Sequence, residues 1–384
     1  MERTRERPGE RPGERPGERP GERPGERPGE RPGERPGERP GERPGERPGE
    51  QVHVVVGAAG ATGHRVVREL LSAGHLVRAV TRDGRSLPIR ARDAGRLEQV
   101  AVDAADGVEL ARMCQGAHAV HLCAMPPLPS WRRDFPPMLD AALAAASRAG
   151  ARLVFADDTW MYGKVEGPMT EATPYRPVSA HGVLRAWLAD RLLAAAARGE
   201  VSVSIVRAGE LYGPGVRSMI AGNVFGAAAR GRRVHWLGDP DLPLTPTFVD
   251  DFARTLAVVG EQDLEAAGVW HVPHPAPTTG RQLVAEAFAR SGHRLRLSRH
   301  GAGELAAVGT VWPLARAGAD LVYQFEQPFV VDGSAAAARF GLVPTPYAAG
   351  VTATMTAFAH PLAPAPAPRT TQTLETLASR GVQL

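Results

Sequence analysis

From Val52 onward the chain alternates between two hydrophobic rhythms. Short apolar runs at Val52–Val56, His75–Thr81, Leu97–Val102, Ala119–Leu122, Leu153–Ala156 and Val201–Arg207 predict strands buried on both faces. Between them His64–Ala73, Pro137–Arg148 and His181–Ala197 read as helices, with Gly74 and Gly150 where left-handed C-caps fall. Strand and helix in alternation imply an α/β fold, a doubly wound parallel sheet with helices on both faces. Ligands of such sheets bind outside the carboxyl ends of the strands, so the loops that follow each strand hold the candidate chemistry.

The first of those loops is the most specific. Val54-Val55-Val56-Gly57-Ala58-Ala59-Gly60-Ala61-Thr62-Gly63 runs from a buried strand through a glycine turn into a helix, the Rossmann-like cradle for a dinucleotide. Gly57 allows the sharp turn, Gly60 leaves room for a pyrophosphate, and Gly63 lets helix and strand pack closely. Ala61 and Thr62 belong to the same cofactor-binding set, as do Cys123 and Ala124 after the fourth strand. After the second strand comes Thr81-Arg82-Asp83, where Arg82 can pair with a 2′-phosphate and Asp83 can instead reach the ribose hydroxyls; NADP is expected ahead of NAD. Asp103, after the third strand, either accepts from an adenine amino group or stands as a solvated loop acid.

Composition changes the picture mainly at the ends. From Arg7 to Glu50 the tetrapeptide Arg-Pro-Gly-Glu repeats eleven times, with no apolar residue to bury and a proline in every unit. Residues 1–50 are therefore expected to be disordered, and because each unit is neutral they are no basic nucleic-acid arm. The tract reads as an in-frame expansion, or as the product of a translation start placed too far upstream, ahead of a fold that begins near Val52. Residues 51–360 form the expected nucleotide-binding domain, its smaller substrate lobe drawn mainly from residues after 207, and the Pro-Ala run from Pro361 opens a flexible tail, residues 361–384. A net charge of +4 points to no acidic partner. No run is long and apolar enough for a membrane span or a signal peptide, and two cysteines without metal-ligand spacing fit a reducing compartment, so a cytoplasmic protein without a metal is expected.

Several ordered motifs carry a family likeness. The glycines at GxxGxxG spacing, Met161-Tyr162-Gly163, Arg207-Ala208-Gly209-Glu210-Leu211-Tyr212-Gly213-Pro214-Gly215, Phe248-Val249-Asp250-Asp251 and Pro328-Phe329-Val330-Val331-Asp332 together resemble the NAD-dependent epimerase/dehydratases, the extended short-chain dehydrogenase/reductases. The resemblance spans about Val52 to His360. It implies a C-terminal substrate-binding lobe, in which Pro328–Asp332 is a late strand, and a homodimer built from the helices Pro137–Arg148 and His181–Ala197. It also implies a small polar carbonyl, alcohol or sugar-like substrate, lined by Trp160, Tyr162, Glu210 and Tyr212.

The departures bear on the reaction. The family uses a Ser or Thr, a Tyr, and a Lys four residues after it, whereas Lys164 is the only lysine here and follows no tyrosine at that spacing. Aligned on the family's helix, His181 takes the tyrosine position and Arg185 the lysine position, while the serine position falls on Asp158 with Thr159 beside it. One reading makes His181 the acid/base group, with Asp158 orienting it and Arg185 holding the nicotinamide ribose. The other is a catalytic set that has decayed, leaving an NAD(P)-binding redox sensor or regulatory protein, since arginine cannot relay a proton. Many relatives use an asparagine near the diphosphate of a nucleotide sugar; Glu210 stands there and would repel phosphate unless protonated. The segment Gly231–Trp236 offers compensating positive charge, or is simply a loop and an edge strand.

Overall fold

β1 (Val52–Val56) is apolar at nearly every position because it is covered on both faces, and the side-chain alternation of a strand divides its valines. Val54 and Val56 enter one core with Leu110, Trp131, Phe135, Leu139 and Leu188, whereas Val55 enters the other with Val66, Leu70, Phe252 and Leu256. Each such side chain, fully buried, contributes about 1.5–3 kcal/mol. The computed structural model describes residues 50–262, 266–301 and 320–359. The repeat up to residue 49 and the expected tail from 361 lie outside the described residues.

α1 (Gly63–Ala73) crosses to β2 (Leu76–Thr81), which leads to β3 (Leu97–Ala101), α2 (Gly107–Met113) and β4 (Ala119–Leu122). α3 (Trp131–Ala149), β5 (Arg152–Asp157), α4 (Ala180–Ala197) and β6 (Val203–Arg207) complete the second half. Beyond it, α6 (Val249–Glu261) and β11 (Gly268–His271) return to the same body. The seven-stranded sheet has the order β11-β6-β5-β4-β1-β2-β3, and every pairing in it is parallel. The order reverses between β1 and β4, which is where a doubly wound sheet opens its ligand crevice. Gly74 and Gly150 end α1 and α3 in the left-handed conformation, φ 102° and 63°.

Two expected boundaries move. α3 begins at Trp131, ahead of the expected Pro137, and carries Pro136 and Pro137 inside it. Burial of Trp131 and Phe135 outweighs the donors that the prolines lack, and the turn they disturb is flanked by exposed Arg132 and Arg133. The expected strand Pro328–Asp332 forms only two isolated bridges, Met169 with Val331 and Leu244 with Phe329. The smaller lobe contains β7 (Leu211–Tyr212), α5 (Gly226–Ala229), β8 (Val234–Leu237), β9 (Pro243–Leu244), β10 (Thr247–Phe248), β12 (Thr278–Thr279), α7 (Gly280–Ser291) and β13 (Leu297–His300). Helices Ser334–Phe340 and Tyr347–Ala359 follow. Phe225, Trp236, Phe248 and Phe288 centre the lobe's core, and Gly231–Trp236 is a loop leading into β8, which pairs with β13. No helix among the described residues is long and apolar enough to cross a membrane.

His53, the second residue of β1, and His121, the third of β4, are fully buried with His75 and His118 close by. His53 Nε2 faces Gln51 Oε1 at 3.2 Å, so it carries the proton, and His53 Nδ1 accepts from His121 Nε2 at 3.1 Å. A proton on both nitrogens of His53 would set two N–H groups against each other. Burial, with the neighbouring imidazoles adding to it, holds His53 well below the usual histidine range and His121 down at about 3. The unfolded chain therefore binds the extra protons. This contribution is complete above the ordinary histidine value of about 6.5 and is lost as pH falls below it, by about 1.4 kcal/mol per pH unit for each ring. Chemical denaturation from pH 7 to pH 5 should show His121→Leu losing less stability on acidification than the wild type. Equal slopes would mean that His121 is already charged in the fold.

Candidate functional site

The glycine turn after β1 has the shape its sequence implies. Gly57 has φ +84°, and a Cβ there would lie 2.5 Å from the Ala124 backbone, so the turn fits only because it is glycine. A Cβ on Gly63 would strike the Gly57 carbonyl, whereas one on exposed Gly60 would meet only that oxygen, at 3.3 Å, and would project into the open side. The N–H groups of Gly57 and Ala58 both donate to Val80 O at 3.0 Å, and that of Gly60 to Gly57 O at 3.0 Å. The N–H groups of Ala61 and Thr62 have no acceptor among the described residues, and they lie at the positive end of α1. Cys123 is tied to β1 through its N–H on Val56 O at 2.9 Å, which sets Ala124 against the turn.

At the end of β2, exposed Arg82 makes no ion pair among the described residues. Asp83 is engaged by Arg85, with Nε at 3.0 Å and Nη2 at 2.6 Å, and these hydrogen bonds hold its carboxyl down at about 2. Asp103 is exposed and accepts the Ala105 N–H at 2.9 Å.

The carboxyl ends of β5 and β6 are built from buried charge. β5 ends on Asp157 and β6 on Arg207, register partners in the sheet, and Arg207 Nε donates to Asp157 Oδ2 at 3.1 Å. Arg207 is fully buried, so its other donors also need acceptors: Nη1 donates to Tyr162 at 2.6 Å and Nη2 to Tyr175. Tyr162 donates in turn to His271 Nε2 at 2.7 Å, and His271 Nδ1 donates to Asp332 O at 3.1 Å. Arg185, 3% exposed, takes the other oxygen of Asp157 at 3.2 Å and lies 2.7 Å from Asp158 Oδ2. Its guanidinium carbon is 4.4 Å from the ring centre of Trp131 and 4.7 Å from that of Phe135.

Asp158 and Arg185 are thus brought together, with Thr159 buried beside them, but Asp158 does not orient His181. Opposite charge binds the carboxylate to Arg185, and its Oδ1 accepts the Trp160 N–H at 2.9 Å. His181 sits edge-on to Trp131 and Trp160, with ring centres 5.4 and 6.2 Å away, and directs Nε2 to Leu128 O at 3.4 Å. Its buried Nδ1 has no hydrogen-bond partner among the described residues. Arg185, expected at the nicotinamide ribose, donates Nη1 to Asp157, sets Nε against Asp158 as an ion pair without a hydrogen bond, and has Nη2 3.8 Å from Met125 Sδ.

Tyr162 and Tyr212, expected to face a substrate, are both interior. Tyr162 is fully buried and its hydroxyl serves Arg207 and His271, while Tyr212 packs in the lobe core with ring centres 5.8 Å from Phe225 and 5.4 Å from Phe248. Trp160 stacks on Trp131 at 5.5 Å and remains partly exposed. Glu210 accepts the Met219 N–H at 2.9 Å. Burial lifts its carboxyl to about 7, against the N–H bonds of Met219 and Ile220 and with the charge of Asp158 adding to the rise. Burial likewise lifts Asp158 to about 6, opposed by Arg185 and reinforced by Asp157.

A family model for the NAD dependent epimerase/dehydratase family matches residues 53–272. The chain belongs to that family. Among solved structures it is similar to MoeE5 in complex with UDP-glucuronic acid and NAD, at 27% identity and a TM-score of 0.65 over 81% of this chain and 100% of that one. The UDP-glucose 4-epimerase of Thermus thermophilus in complex with NAD gives 19% identity and a TM-score of 0.65 over 81% and 100% of the two chains. The UDP-glucuronic acid 4-epimerase of Bacillus cereus in complex with NAD gives 17% and 0.63 over 80% and 98%. These last two likenesses concern the fold alone. No curated protein matches the chain.

Arg185→Ala would leave Asp157 and Asp158 facing one guanidinium in place of two. Urea denaturation at pH 8 should show a loss of about 3–5 kcal/mol. At pH 5, below the value of about 6 for Asp158, protonation of that acid should shrink the loss. A loss below about 1 kcal/mol at pH 8, the size of an exposed pair, would show that Arg185 is not structurally coupled to the carboxylates.

Proposed function

We propose that this chain is an NAD(P)-dependent epimerase/dehydratase-like oxidoreductase acting on a polar carbonyl, alcohol or sugar-like small molecule, with His181 as its acid/base group. The carrying observation is the unpartnered Nδ1 of His181, whose ring shares Trp131 with Arg185 and so lies close to the Asp158–Arg185 pair. With Nε2–H turned to the Leu128 carbonyl, Nδ1 holds a lone pair ready for a substrate hydroxyl proton. Bound NAD(P) would supply the acceptor or donor of hydride. As a substrate carbon gives up hydride, its O–H proton passes to His181 Nδ1; in reduction the same nitrogen returns it. Trp131 and Trp160 hold the imidazole in place by edge contacts.

The cofactor reading is supported by the open space at Gly60, the unused N–H groups of Ala61 and Thr62, and the post-β4 residues Cys123 and Ala124 against the turn. NADP is favoured over NAD because Asp83 is occupied by Arg85 while Arg82 has no ion pair among the described residues. Asp103 keeps a carboxylate oxygen for the adenine amino group. A cofactor-dependent sensor without turnover is the second reading, favoured by the commitment of Arg185 to two carboxylates. The free thiols Cys114 and Cys123 support a cytoplasmic setting, tested by recovery in the cytosolic fraction of its own cells.

Fluorescence titration should give tighter binding of NADPH than of NADH, with Arg82→Ala abolishing most of the difference. His181→Phe should keep NADPH affinity within a few fold, yet abolish NADPH-dependent turnover in a screen of carbonyl and sugar substrates. Unchanged turnover in His181→Phe would remove its catalytic role, and a wild type that binds NADPH without turning over any substrate would favour the sensor.

A homodimer across α3 and α4 is also proposed. α4 exposes Val183 at 56% and Trp187 at 45%, one helical turn apart, beside the Asp140–Arg191 pair that bridges the two helices. Light scattering should find a dimer for the wild type and a monomer for Trp187→Asp; a wild-type monomer at micromolar concentration would end that reading.

A further inference from the structure

Glu210 occupies donors that an anionic ligand would otherwise use. The N–H groups of Met219 and Ile220 open the helical run that continues through Ala221–Ala229, and both are directed to the Glu210 carboxylate. Such leading N–H groups are the ordinary seat of a phosphate. The backbone behind it is fixed, because the Glu210 carbonyl accepts the Thr247 N–H at 2.9 Å. The carboxylate itself is held by the two N–H groups, so an anionic ligand would have to compete with it for them.

The charge of Asp158 adds to the rise of the Glu210 carboxyl. Arg185 in α4 and Arg207 at the end of β6 are engaged by Asp157 and Asp158. Arg65, whose Nη2 donates to Pro214 O, is paired with Asp250, and Arg217 is exposed to water, where screening weakens its pull. A nucleoside diphosphate would have to displace the carboxylate from its donors and then sit beside its charge.

We infer that Glu210 is a specificity-determining residue that excludes nucleoside diphosphates from the substrate side of the cleft. The substrate is then a polar carbonyl, alcohol or sugar that carries no diphosphate. This rests on the oxidoreductase reading above. It sets the chain apart from MoeE5, which is solved with UDP-glucuronic acid and, in a second complex, with UDP-glucose.

The test is calorimetric titration of UDP-glucuronic acid into full-length protein saturated with NADPH, so that the cofactor's own diphosphate site is filled. At pH 8 the wild type should bind more weakly than about 1 mM. Glu210→Ala, which frees the two N–H groups and removes the charge, should bind at least tenfold more tightly, and Glu210→Gln should fall between them. Should the alanine variant fail to fold, the glutamine variant, which keeps an acceptor for Met219, carries the comparison alone. Micromolar binding by the wild type overturns the inference, as does a folded variant with no gain. Loss of NADPH binding in the wild type would instead overturn the oxidoreductase reading, so the two failures are distinguishable.

Discussion

The pairing of Arg207 with Asp157 sets the terms for everything at the carboxyl edge of the sheet. A guanidinium with no exposed surface must find acceptors for its donors, and a buried carboxylate must find donors. Asp157 answers to two arginines at once, and Tyr162 and Tyr175 take what Arg207 has left. His271 of β11 then fixes Tyr162, so the last residues of β5, β6 and β11 are locked into one network. A charge-neutral interior of this kind costs heavily if any one member is lost.

The two ends of the ligand crevice are consequently made of different materials. The nucleotide end is defined by what is missing: no Cβ at Gly57, none at Gly63, and no acceptor for the Ala61 and Thr62 N–H groups among the described residues. The end where β5 and β6 finish is defined by charge already paired, and two acids with elevated carboxyls, Asp158 and Glu210, hold protons nearer neutrality than acids in water do. Both ends lie within residues 53–272, the part of the chain that the family model covers.

What the sequence disclosed follows the range of the forces involved. β1, its glycine turn and the caps at Gly74 and Gly150 were legible because strand, turn and helix chemistry are local. The start of α3 was not, because the burial of Trp131 and Phe135 is a tertiary effect that overrides the proline signal. Position along the chain brought Asp158, His181 and Arg185 under suspicion, but not their pairing. Only the fold shows that Arg185 takes Asp158 and that His181 turns to Leu128. The inward direction of Tyr162 and Tyr212 was equally invisible, since an aromatic residue in a family motif reads the same whether it serves a ligand or a buried cation. An arginine closing a wholly buried strand, as Arg207 closes β6, was the available hint that interior charge needed partners.

The contact between Gly57 and Ala124 has a mechanical side. With 2.5 Å between an imagined Gly57 Cβ and the Ala124 backbone, the turn after β1 and the segment after β4 have no slack between them. Met125 continues that segment to the Nη2 of Arg185, and so reaches the paired carboxylates. The glycine turn and the charged end are thereby joined through three consecutive residues, Cys123, Ala124 and Met125. Any side chain added at Gly57 would press first on the segment that carries Met125 to Arg185.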